Sequence, residues 1–121
     1  MSRSSLAPLA VADLLDGREV NGPDIEATVE GVVWPNQHGD AIRDEANPQK
    51  LVLMPWARGS EITDDWRRYF DVRMSTMAAG GSRQIRIVVK GTLTRSDETL
   101  IFRVSEFLEI SAEPRVVARS D

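Results

Sequence analysis

The chain has 121 residues, 41% of them apolar and 28% charged, which is enough for one globular domain with its own core and too little for two. Fifteen basic residues stand against nineteen acidic ones, a formal charge of −4. That balance excludes a global positive field, so any nucleic-acid site has to be a local basic face. Cysteine is absent and His38 is the only histidine; disulfides, thiolate metal sites and cysteine nucleophiles are therefore excluded, and a zinc site is short of ligands.

Residues 1–5 read as a polar tail. In residues 6–15, Leu6, Leu9, Val11, Leu14 and Leu15 stand at near-helical spacing, and Gly17 is a helix stop. The run is broken by Pro8 and Asp13, is too short to span a bilayer and lacks a cleavage site behind a basic start, so a cytoplasmic location is the expectation. The turn residues Asn21, Gly22 and Pro23 lead into a long strand at 25–34. There Ile25, Ala27, Val29, Gly31 and Val33 share one face, and Glu26, Thr28 and Glu30 take the other.

Residues 35–40 are turn-rich, 41–44 form a short second strand, and 50–56, apolar on both parities, form a third that is covered on two sides or passes from barrel to helix packing. The period then changes. Ile62, Trp66, Tyr69, Phe70, Met74 and Met77 recur every three or four residues, which predicts an amphipathic helix over 61–77 with both methionines in the core. Ser60 or Thr63 caps it, acidic residues fill its first turn, and Ala78, Ala79, Gly80 and Gly81 end it. Arg67, Arg68 and Arg73, among Asp64, Asp65 and Asp71, read as a solvated mixed-charge face.

Strict alternation predicts a fourth strand at 84–95, joined by Ser96, Asp97 and Glu98 to a fifth at about 99–110. Residues 111–121 read as a polar tail, apart from a short pairing by Val116 and Val117. The organisation expected is thus a lead-in at 1–19, a barrel at 20–110 and a tail at 111–121. Two strands share one feature: Val29-Glu30-Gly31-Val32-Val33 and Val89-Lys90-Gly91-Thr92-Leu93 each carry a glycine at the same point. Glycine within such a run marks a bulge, a bend or a close backbone approach.

With these motifs, the order of three strands, a helix and a two-strand hairpin resembles the oligonucleotide/oligosaccharide-binding (OB) fold, a five-stranded Greek-key barrel. The resemblance covers residues 20–110. It implies an all-β domain with the helix between strands three and four and a short N-terminal helix. It also implies a ligand path across strands two and three, flanked by the loops joining strands one to two and four to five. The negative charge departs from the usual single-strand binder.

On that path the candidate nucleic-acid residues are Trp34, Arg43, Lys50, Trp56, Arg58 and Arg95, since bases stack on aromatic rings while cations follow the phosphates. Each indole also has a structural alternative: Trp34 as a cover for the barrel end, Trp56 as a filler beneath the helix. Arg86, Lys90 and Arg103 form an outward strip that Glu26 or Glu30 would neutralise across strands. No phosphate loop, nucleophile elbow or dinucleotide fingerprint is present, so neither catalysis nor a cofactor is expected. Two functions follow: weak binding of single-stranded DNA or RNA, or a protein-interaction module acting as a homodimer or complex subunit, with no membrane attachment in either.

Overall fold

Strands with one apolar face can close on themselves, and five of them do so in the computed structural model, which describes residues 8–15, 25–96 and 99–115. The elements are β1 (Leu9–Ala10), α1 (Val11–Leu15), β2 (Ile25–Val33), β3 (Asp40–Arg43), β4 (Leu51–Met54), α2 (Asp64–Ala78), β5 (Arg83–Ser96) and β6 (Thr99–Pro114). Single 3-10 turns, Gly59–Glu61 and Gly80–Ser82, flank α2. The barrel runs β2-β3-β4-β6-β5 and closes where β5 pairs with β2. All of its pairings are antiparallel except β4 with β6, where Leu53 lies opposite Ile101. The result is a closed, mixed five-stranded barrel compatible with an OB-like fold, with α2 between its third and fourth strands.

The two glycines are points of close approach. A Cβ at Gly31 would stand 2.7 Å from both the Arg43 carbonyl and the Ile42 side chain. At Gly91 it would overlap the Arg103 carbonyl, beside the register shift between Lys90 and Gly91. Both long strands can therefore press against a neighbour while they curl around the barrel.

The core joins the inward residues of every barrel strand, among them Val29, Ile42, Val52, Ile87, Leu93 and Phe102. α2 packs against β5 and β6. The Thr63 hydroxyl caps it by accepting the Trp66 N–H at 3.2 Å. Trp66 and Tyr69 then meet Phe107, each with ring centroids 4.9 Å away, Tyr69 stacked and Trp66 edge-on. Phe107 stands opposite Val89, beside the β6 bulge that skips Leu108, and the helix bonds to its backbone: Asp65 accepts the Phe107 N–H at 2.9 Å and Arg68 donates to its carbonyl at 3.3 Å.

Three expectations need correction. Residues 9 and 10 are a strand, not the start of a helix. β1 lies parallel to β2 opposite Val29 and Glu30, and β5 occupies the other edge of β2 throughout. Two residues are too few to show a period. Next, β6 runs past 110 to Pro114, where Gln84 and Ile85 pair with Glu113 and Ala112. Its half-buried end has no apolar alternation to read. Finally, Met74 is 72% exposed and Met77 38%. The inward stripe of α2 is Trp66, Tyr69, Arg73 and Thr76, so Arg73 holds a position assigned to solvent. Gly17, the turn at 21–23, Asp97, Glu98, Val116 and Val117 lie outside the described residues.

Candidate functional site

Alternation along β3 and β4 buries Ile42, Val52 and Met54 and turns Ala41, Arg43, Leu51 and Leu53 outward. With Ile101 of β6 these outward residues floor a groove of about 620 Å³. The 36–39 turn forms one wall. Gly39 takes a φ of 129° there, and the Asn36 carboxamide accepts the His38 N–H at 2.7 Å. Residues 55–58 form the other wall, and Trp34 and Trp56 both border the opening. Trp56 also borders a smaller hollow of about 240 Å³ with Trp66 and Arg103.

Trp56 is held from beneath. Asp40, whose side chain is fully buried, accepts three hydrogen bonds on one oxygen, Oδ2: from Trp56 Nε1 at 3.0 Å, Arg73 Nε at 2.9 Å and the Tyr69 hydroxyl at 2.5 Å. Its Oδ1 has no partner among the described residues. The Arg73 guanidinium lies 4.6 Å from the Trp56 ring and also donates to the Asn36 carbonyl, which ties the turn to α2. Phe70 meets Trp56 edge-on at 6.5 Å, and 37% of the Trp56 surface remains exposed. Burial and the Asp40 charge push the Tyr69 phenol well above its ordinary pKa.

Trp34 is fixed differently. Its Nε1 donates to Gln84 Oε1 at 3.0 Å, and Gln84 donates to Glu113 at 2.6 Å. The guanidinium of Arg43 lies 4.6 Å from the Trp34 ring centroid and that of Arg115 3.7 Å. Arg43 also donates to the Pro48 carbonyl at 3.0 Å. Its pKa is lowered from the ordinary arginine value, first by burial and then by the Arg115 charge.

The groove is locally basic although the chain is acidic. Arg43, Arg58 and His38 line it, and Asp40, the one carboxylate among its described lining residues, is tied to Arg73. Of the candidate residues, the structure brings Trp34, Arg43, Trp56 and Arg58 to this groove, while Lys50 and Arg95 do not line it. Lys50 instead anchors the β3–β4 turn, its backbone pairing with Asp44 and Asn47. Asp44, buried, accepts from the Ala12, Ala46 and Asn47 backbones at 2.8, 3.1 and 2.9 Å. Arg86 faces Glu30, Glu45 and Glu113, so the outward strip is paired at that point.

Asp40, Arg73 and Arg115 were not legible as site residues. Arg73 betrays itself only by standing seven residues after Trp66 and four after Tyr69, on their side of the helix. Among the described residues no group of three or more histidine and carboxylate side chains is placed to hold a metal ion, and no helix is long and apolar enough to cross a membrane. Comparison with protein families, with curated proteins and with solved structures gives no match, so the site is read from its own geometry.

Proposed function

We propose that this is an OB-fold protein that binds single-stranded nucleic acid in the groove over β3 and β4, without catalysis. The observation that carries the reading is the pairing of exposed indole with arginines that make no ion pair among the described residues, in one groove whose own carboxylate is neutralised internally. Base stacking on aromatic side chains contributes about 1–3 kcal/mol per base, and arginines placed beside such rings neutralise phosphates. Trp56 supplies an indole that is both partly open and rigidly supported. Arg43 and Arg58 supply charge along the same path.

The test is tryptophan fluorescence during titration with mixed-sequence single-stranded DNA and RNA at stepped salt. Quenching that salt reverses is expected, with Trp56→Ala weakening binding at least tenfold and Trp56→Phe retaining most of it. Binding that ignores both salt and Trp56 would overturn the site.

A second reading has its own support. Leu51, Leu53 and Ile101 form an apolar strip along the groove floor, and Leu53 is 43% exposed. Such a strip suits a protein partner or a second copy of the chain. A dimer in analytical ultracentrifugation that persists at high salt, with no response to oligonucleotide, would decide for it.

A further inference from the structure

We infer that Arg43 and Arg115, both held against Trp34, form a clamp for phosphate groups of the bound strand, with Trp34 serving as its support and not as a surface for bases. The inference rests on the nucleic-acid reading of this groove and divides the labour between its two indoles.

The first ground is geometry. Both guanidinium centres lie against one ring, at 4.6 and 3.7 Å from its centroid. Their separation therefore cannot exceed those two distances combined, a span within reach of one phosphate or of neighbouring phosphates on one strand. Each component has its own anchor. Trp34 is held by Gln84, Arg43 by the Pro48 carbonyl, and Arg115 by its backbone N–H on the Ser82 carbonyl at 2.8 Å, where β6 leaves the sheet.

The second ground is charge. Among the described residues neither arginine makes an ion pair. Glu113, at the end of β6, is engaged by Arg86 at 3.2 Å and by Gln84 at 2.6 Å. Two like charges kept close repel each other, and an anion bound by both relieves that repulsion. Burial lowers the pKa of Arg43, and the Arg115 charge lowers it further. Guanidinium suits the task because its planar fork meets phosphate oxygens in pairs, and stacking on an indole holds the fork in place while its N–H groups stay available.

The third ground is the occupancy of the ring. A base stacking on Trp34 where a guanidinium already lies would have to displace it and forfeit the cation–π attraction. Trp56 carries one arginine, Arg73 at 4.6 Å and bonded to Asp40, against two on Trp34, so stacking falls to Trp56.

The experiment measures affinity for a labelled single-stranded oligonucleotide at stepped salt for wild type, Arg115→Gln, Arg43→Gln, Arg115→Lys and, as a control on exposed helix charge, Arg67→Gln. Thermal melting verifies that each variant is folded. Arg115→Gln and Arg43→Gln should each weaken binding about tenfold, irrespective of base sequence, and flatten the salt slope by about 0.7 for each phosphate no longer neutralised. Arg115→Lys should keep the slope, and Arg67→Gln should match wild type. Wild-type affinity and slope in Arg115→Gln would overturn the clamp and leave the nucleic-acid reading standing. If wild type binds no oligonucleotide, that reading fails, and titration with inorganic pyrophosphate while following the Trp34 indole N–H signal by NMR tests the clamp alone. A shift abolished by Arg115→Gln supports an anion site, and no shift in wild type overturns it.

Discussion

Asp40 and Arg73 meet 2.9 Å apart at the end of the barrel, the aspartate side chain wholly buried and the arginine 13% exposed. The pair joins the first residue of β3 to the inward face of α2, and Trp56 and Tyr69 bond to the same carboxylate oxygen. One ionic contact thus serves both helix docking and the placement of the groove's open indole.

Removing one partner of a buried pair leaves a charge without compensation, at a cost of about 3–5 kcal/mol. Arg73→Met and Asp40→Ala should each lower urea stability by that order. The double variant should lose less than the two single losses added together, because it strands no charge. Full additivity would show the pair to be uncoupled.

Tyr69 is the only tyrosine, so its titration can be followed without overlap. Burial raises its pKa above the ordinary 10.0, with the Asp40 charge and hydrogen bond acting in the same direction and Arg73 against them. A raised folded pKa means that the stability contribution is complete below about pH 10 and is lost as pH climbs past it, because the unfolded chain releases the proton first. Tyrosinate absorbance should therefore appear together with loss of the far-UV dichroism signal, and its appearance in a folded chain would contradict the burial. Tyr69→Phe should cost about 1–3 kcal/mol, because the Asp40 oxygen loses one donor.

Gly91 has no room for a methyl group, which would meet the Arg103 carbonyl, a backbone atom unable to move aside without disturbing β6. At Gly31 part of the obstruction is the Ile42 side chain, 2.7 Å away. Gly91→Ala should cost at least the usual overpacking loss of about 1–3 kcal/mol. Gly31→Ala should also destabilise, and by less. Thermal denaturation of the two variants tests both the size and the order.

The Phe107 N–H donates to the Asp65 carboxylate at 2.9 Å. Asp65→Ala should leave that N–H without its carboxylate acceptor, destabilise the protein by about 1–3 kcal/mol and accelerate hydrogen exchange at the Phe107 amide specifically. Unchanged exchange there would mean that this amide does not depend on the helix.

The barrel was legible because its determinants are local. Period-2 alternation marked β2 and β5, a hairpin connection marked β6, a change to helical period marked α2, and the glycines within β2 and β5 marked their points of close approach. Of the four candidate residues that meet in one groove, strand parity turns Arg43 out of the core, while Trp34, Trp56 and Arg58 follow just after the ends of β2 and β4. Arg73 and Arg115 escaped because their roles depend on partners that lie thirty or more residues away in sequence. A helix pattern read by polarity gives an arginine to solvent, and only the buried Asp40 brings it inward; a terminal arginine gains meaning only when β6 extends far enough to carry it to Trp34. Side-chain spacing determined which elements form and how they curl, whereas the long-range pairing of charge with charge and cation with ring was decided by the tertiary fold, because electrostatic partnership depends on separation in space and not on order along the chain.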